Sequence, residues 1–391
     1  MVVSFDIDAT PDGSMSEYQY YEFQAIDRPL GEAARDALRA LSSRARITAT
    51  SFTNHYEWGD FKGDPKKLMD RYFDLHLYLA NWGARRLMIR LPKRLVDVSR
   101  LDCFMRDVEW VEVSEKGDNL ILDICRDEVE PDVDDWDDGS GWLAALAPLR
   151  TDVLSGDLRL LYLLWLAAIE TEGIDDGAIE PLPGVGPLTG ALEAAAEFFA
   201  VDPDLVAAAA ERTCGAGPGR ISRDAARDAL ASLPELEKTE LLLRLAEGDP
   251  HVAAELKRRL QMSRPRPSAG LRTAGDLRAR AAAIREERER LQAEKQEAER
   301  RRKVQDAAKA QRARRDALKR RGTAVWGDVE AEIERRNPPG YEAAAGLLSD
   351  LKALAADQGM LADFARRLEA IRERHARKGK FIERLKALTA P

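Results

Sequence analysis

DLRARAAAIREERERLQAEKQEAERRRKVQDAAKAQRARRDALKRR, residues 276–321, contains neither glycine nor proline and is dense in alanine and charge. A stretch of this kind predicts one continuous helix, about 69 Å long at 1.5 Å per residue. It carries 17 Lys or Arg against 9 Asp or Glu, in a chain of 391 residues whose formal net charge is −8. Leu277, Ile284, Leu291 and Ala298 recur every seven residues, but a coiled coil needs a second apolar position in each heptad. The offsets that would supply it hold Ala281, Arg288 and Lys295. The stretch therefore reads as a mostly solvated single helix, stiffened by i,i+4 pairs such as Glu286 with Arg290 and Glu299 with Lys303.

Outward from this helix, charge is unevenly shared. Residues 1–140 carry a net −11, residues 141–275 a net −6, the helix +8 and residues 322–391 +1. An acidic body with a basic arm is the feature to explain. Residues 127–138 (DEVEPDVDDWDD) hold eight acidic side chains in twelve positions. Like charge at that density resists packing, so 127–140 reads as a solvated linker. The expected layout is a mobile leader over 1–15, an N-terminal α/β domain over 16–126, the acidic linker over 127–140 and a helical domain over 141–262. A proline-spaced linker (263–275), the long charged helix (276–321) and a C-terminal helical tail (322–391) follow.

The fold class this predicts is α+β: a small sheet with helices on one face, then a helical domain, the long helix and the tail. Residues 18–26 (YQYYEFQAI), 46–52 (RITATSF) and 86–91 read as strands, and 108–113 with 120–124 as a hairpin turning at Gly117. Residues 31–41 read as a helix. Asp64 and Pro65 form a helix start signal. After it Leu68, Tyr72, Leu75, Leu79 and Trp82 fall at spacings of 4, 3, 4 and 3, predicting one helix that ends at Gly83. From residue 141 every apolar segment reads as helix, with breaks at PLPGVGP, VDPD, GAGPG and EGDP. In the tail, Leu347, Leu348, Leu351, Phe364 and Leu368 face inward between two antiparallel helices.

Several classes are excluded or disfavoured. The longest apolar run, residues 160–169, is half of what a bilayer span needs. The N-terminal residues lack a basic start followed by an apolar core, so no secretory signal is read. Cys103, Cys125 and Cys214 are widely spaced and support neither a disulfide framework nor a zinc site. His251, His375 and the acidic linker show no metal-ligand spacing. Gly184, Gly186 and Gly190 follow no strand and miss the dinucleotide spacing, and no Walker or Gly-x-Ser-x-Gly motif occurs. No cofactor, metal or membrane partner is expected, and a reducing cytoplasm fits the cysteine usage best.

Two segments resemble known sequences. SEYQYYEFQAIDRPL and NHYEWGDFKGDPKKLMDRYFDLHLYLANWGARRLMIRLP are similar to a family of uncharacterised bacterial proteins, a resemblance that implies no activity. The tail, from Trp326 through YEAAAGLLSDLKALA to FARRLEAIRERHARKGKFIERL, resembles the C-terminal helices of bacterial proteins carrying a SWIM-type zinc finger. The zinc module itself, Cys-x-Cys followed by Cys-x-His, is absent. The resemblance therefore implies a helical docking module and no metal ligand.

Two constellations could carry function. His55, Tyr56, Glu57, Trp58, Asp60, Phe61 and Lys62 form the most aromatic loop of the chain, able to grip a ligand, a peptide or a base by stacking. The plainer alternative, which the pattern favours, has the rings plug one end of the core while the charges face water. Catalysis would need a second acid or base, for which only His76 and Glu22 are candidates, and His76 beside apolar residues reads as a core histidine. In the arm, Arg300, Arg301, Arg302, Lys303, Arg312, Arg314, Arg315, Lys319, Arg320 and Arg321 could neutralise phosphates. The alternatives are docking on acidic protein, the chain's own linker included, or a spacer. The chain thus reads as a non-enzymatic cytoplasmic adaptor binding protein partners through its N-terminal domain and C-terminal helices. The alternative is a nucleic-acid-associated regulator that contacts phosphates with the basic half of the long helix.

Overall fold

Alternating apolar and polar side chains in the first third of the chain build a seven-stranded sheet. The computed structural model describes residues 17–106, 108–127, 129, 137–171, 173–213, 223–262 and 270–389. The strands are β1 (Gln19–Gln24), β2 (Arg46–Ile47), β3 (Ser51–Tyr56), β4 (Leu75–Ala80), β5 (Arg85–Pro92), β6 (Val111–Lys116) and β7 (Asn119–Arg126). Their order is β2-β3-β1-β4-β5-β7-β6, antiparallel throughout. The mixed sheet-and-helix class expected from sequence is the one observed.

Val98–Met105 forms a helix absent from the sequence reading, and two other elements differ from that reading, each for a local reason. Residues 46–52 are not one strand, because the Thr48 hydroxyl accepts the N–H groups of Thr50 (3.1 Å) and Ser51 (2.9 Å) and turns the chain into a β2–β3 hairpin. The helix opened by Asp64, whose side chain caps the N–H of Lys67, stops at Arg71 and does not continue to Gly83. Leu75 and Leu79 belong instead to a two-residue alternation, LHLYLA, that forms β4. Gly83 sits in the β4–β5 turn at φ +94°, where an added Cβ would lie 2.4 Å from the carbonyl oxygen of Val129.

The sheet is covered on both faces. α1 (Glu32–Leu41) and α2 (Pro65–Arg71) close one face over Phe23, Phe52, Met88 and Ile121. The other face presents three leucines of β4 with their neighbours on β5 and β7. Against these pack α3 (Val98–Met105), α4 (Trp142–Leu146), α5 (Pro148–Leu154), α6 (Arg159–Thr171), α7 (Gly190–Phe198) and α8 (Pro203–Ala210). The apolar run 160–169 is explained here: α6 is buried on all sides, and each fully buried Leu or Ile contributes about 1.5–3 kcal/mol. α9 (Arg223–Ser232), α10 (Glu235–Ala246) and α11 (Val252–Met262) complete this part of the chain.

One hydrophobic core thus holds side chains from both sides of the acidic segment 127–140. Of that segment, residues 128 and 130–136 lie outside the described residues, as do the leader 1–15 and residues 263–269 of the second linker. Its described ends are tied down. The Val129 N–H donates to the Gly83 carbonyl (3.0 Å), and Asp137 accepts the Trp142 indole N–H (2.7 Å).

The chain divides into two compact units, residues 1–287 and 288–391. The long helix, α12, runs Ala274–Arg321, two residues longer at its start than expected. Within the first unit Leu277 and Ala281 are buried in the core and Ile284 packs against it, so the first half of the heptad seam docks on this chain's own core. In the second unit α12 is joined by α13 (Ala324–Glu334), α14 (Pro338–Asp357), α15 (Leu361–Arg374) and α16 (Gly379–Thr389). Asn337 caps α14 by accepting the Gly340 N–H at 2.8 Å, with Pro338 and Pro339 in the first turn. Leu318 of α12 joins Val325, Val329, Leu348, Phe364 and Phe381 in this unit's core.

Candidate functional site

The antiparallel register brings the aromatic loop and an unexpected partner to one end of the sheet. Gln19, at the start of β1, pairs with Tyr56 at the end of β3 and with Ala80 at the end of β4. The chain leaves both strands there through turns that carry Trp58 and Trp82. These two indole-bearing residues are 71% and 49% exposed, the two aromatic members of a set of ten large apolar side chains left open among the described residues of the first unit. Asn81 locks the second turn by accepting the Tyr18 N–H at 3.0 Å.

Between the turns, one face of the sheet carries Tyr21, Tyr56 and Tyr78. The ring of Tyr21 lies 4.7 Å from that of Tyr78 and 5.9 Å from that of Tyr56. Tyr21 donates to the Gln19 side-chain oxygen at 2.7 Å, and Asn54 donates to the Tyr56 hydroxyl at the same distance. Burial pushes the Tyr21 phenol up to about 12 and raises that of Tyr78 too, so both keep their protons at neutral pH.

The seven loop residues are parted by the pleat and the turn. Phe61 folds back and is buried against Tyr21 (5.0 Å) and Phe52 (5.7 Å), so it is the ring that plugs the core. Gly63 permits this, since a Cβ there would lie 2.5 Å from the Phe61 ring. Asp60 accepts from the Gln19 amide at 3.3 Å, and Glu57 and Lys62 are exposed. Tyr56 faces the tyrosine cluster, while His55 projects to the opposite face and stacks on Tyr18 at 6.2 Å.

The acid–base candidates do not converge. His76 is fully buried, stacked on Phe23 at 3.9 Å, with Nδ1 3.0 Å from the Glu22 carbonyl. Burial drives its pKa down to about 3, so it is neutral at physiological pH. The Glu22 carboxylate, raised by burial, accepts the Tyr20 hydroxyl at 3.0 Å. Among the described residues no hydrogen bond joins His55 to Glu22 or Glu57, and no group of three or more His, Cys, Asp or Glu is placed to hold a metal ion. The rim can stack on a ligand and donate hydrogen bonds to it. Trp82 was missed in sequence because it closed an apparent helical stripe; the Asn-Trp-Gly turn between two alternating runs is the signal that marks it.

The second candidate is α12, whose base is clasped by the first unit. Arg272, just before the helix, pairs with fully buried Glu180 at 2.9 Å, and the Tyr162 hydroxyl donates to the same carboxylate at 2.6 Å. Arg278 donates to the carbonyls of Ile169 (2.7 Å) and Ile174 (2.6 Å) and pairs with Asp176. Arg280 reaches Glu211 at 2.5 Å, and Arg285 pairs with Asp202 and Asp204. From residue 285 to residue 314 every side chain is exposed.

The ten basic residues named from sequence fall into three groups. Arg301, Arg302 and Lys303 make exposed pairs within the helix, to Glu297 (2.9 Å), Asp306 (3.8 Å) and Glu299 (2.9 Å). Arg315 and Arg321 pair with Asp357 and Asp328, and Arg314 Nε lies 2.6 Å from Asp350 Oδ2 without hydrogen-bond alignment. Arg300, Arg312, Lys319 and Arg320 make no ion pair among the described residues. No family model matches the chain, and neither a curated protein nor a solved structure matches it.

Proposed function

We propose that the chain is a non-enzymatic cytoplasmic adaptor, binding protein partners through the rim of its N-terminal sheet and through its C-terminal helices. The observation that carries this reading is the pair of exposed tryptophans, Trp58 and Trp82, at one end of the sheet beside three tyrosines. Exposed tryptophan with tyrosine is the composition of binding hot spots, because large rigid rings bury much area at low entropic cost. His76, buried and neutral, lies toward the other end of β4 and supplies no acid or base to this rim. Among the described residues no helix is long and apolar enough to cross a membrane.

The test is recovery of a partner from the native cell on immobilised full-length protein, washed at high salt, compared with Trp58→Ala/Trp82→Ala. The expected result is a partner that survives the wash and is lost with the double variant, whose melting temperature stays within about 2 °C of the parent, as for exposed positions. A partner retained by the double variant would overturn the rim as its binding surface.

A further inference from the structure

Within the second unit, α12 has two chemically different sides. Leu318 is buried against the tail, and Arg314, Arg315 and Arg321 on the same side reach carboxylates of α13 and α14. A helix turns 100° per residue, which places Arg301, Arg302, Lys309, Arg312, Lys319 and Arg320 about 100–200° around the axis from Leu318. These six cations form a strip about 28 Å long on the side away from the tail's core. The only other side chains in it are Gln305 and Asp316, so it contains no apolar side chain. Every residue of the strip is exposed. Arg301 and Arg302, at 74% and 84% side-chain exposure, hold partners only on their own helix. Such exposed i,i+4 pairs are weak and exchange readily for a stronger anion.

We propose that this strip binds the phosphate backbone of duplex nucleic acid without reading its sequence, a surface separate from the sheet rim. A protein partner needs apolar or aromatic anchors at the centre of its interface, and the strip offers it none. Single strands are held by aromatic stacking, and residues 288–321 contain no aromatic side chain. A duplex presents a continuous phosphate array that Arg and Lys alone can neutralise. The charge distribution agrees: residues 288–391 carry a net +9 and residues 1–287 a net −17.

The experiment uses the full-length protein and a fluorescent 30-base-pair DNA duplex, followed by anisotropy between 25 and 200 mM salt. Six phosphate contacts predict a loss of affinity of about 10³-fold between 50 and 200 mM salt. Lys309→Ala/Arg312→Ala/Arg320→Ala should weaken binding and lower the log–log salt slope by about 3. The charge-keeping Lys309→Arg/Arg312→Lys/Arg320→Lys should retain binding. Arg366→Ala/Arg367→Ala/Arg372→Ala, which removes the same charge from α15, should leave binding unchanged. Alanine favours helix at exposed positions, so the variants keep their fold, as circular dichroism would verify. The proposal is overturned if no duplex binds at 25 mM salt, or if the two alanine triples weaken binding equally. It is also overturned if polyglutamate at equal charge competes as well as unlabelled duplex.

Discussion

The base of α12 and its middle are built from the same residue types and behave as different materials. At the base, Arg278 and Arg285 reach backbone carbonyls and carboxylates of other elements, and Leu277 and Ala281 are buried. In the middle, Arg301 and Lys303 find partners only four residues back along the same helix. Neither composition nor helix propensity separates the two regions. What separates them is whether other elements of the first unit supply acceptors, some of them buried, as Glu180 and Asp204 are. Arginine serves at the base because its planar fork can satisfy two acceptors at once, as Arg272 does with Glu180 and the Ala208 carbonyl.

The largest effect should come from breaking the base. Arg272→Ala leaves the Glu180 carboxylate buried with only the Tyr162 hydroxyl and the Arg272 backbone N–H as partners. Removing one member of such a buried pair costs about 3–5 kcal/mol, read as a lowered denaturant midpoint for the first unit. Arg301→Ala, the counterpart in the middle, should shift stability by no more than about 0.5 kcal/mol. Equal losses from the two substitutions would erase the distinction between the regions.

An intermediate effect is expected from pH, through carboxylates that the first unit holds ionised. Burial opposes ionisation of Asp249, but the His251 N–H and the guanidinium groups of Arg244 and Arg94 outweigh it and lower its pKa from 3.8 to about 2. Asp27, between His251 and Arg150, is likewise held below the usual carboxylate range, its burial again outweighed by those two partners. Groups with depressed folded pKa values contribute stability that is complete above pH 4 and lost as pH falls through the folded value. The melting temperature should therefore fall between pH 4 and pH 2, and Asp249→Asn should flatten that fall. A variant that tracks the parent across this range would contradict the assignment.

The long helix was legible because nothing in residues 276–321 interrupts it, and the tail because Phe364, Leu368 and Leu348 keep a clear helical period. β4 was not. Leu75 and Leu79 satisfy a period of two and a spacing of four equally well, and only Leu77, with His76 and Tyr78 opposite, decides between them. That misreading also hid Trp82, and with it half of the sheet rim. The aromatic loop could be singled out from sequence, but the division of its residues could not, because alternate faces of β3 and the return of Phe61 are set by pairing with β1. The clasp at the base of α12 was invisible for a different reason. Its arginines bind carbonyls and carboxylates roughly a hundred residues away, and no short-range pattern records such contacts.

Hydrogen–deuterium exchange along α12 in the full-length protein measures the central contrast directly. Amides in residues 276–285 and 315–321 should exchange slowly, since they open only with the cores they join. Amides in residues 290–310 should exchange at least tenfold faster, because nothing but the helix's own hydrogen bonds and side-chain pairs protects them. Uniform slow exchange from 276 to 321 would mean that the middle is covered, and fast exchange over 276–285 would mean that the clasp does not hold.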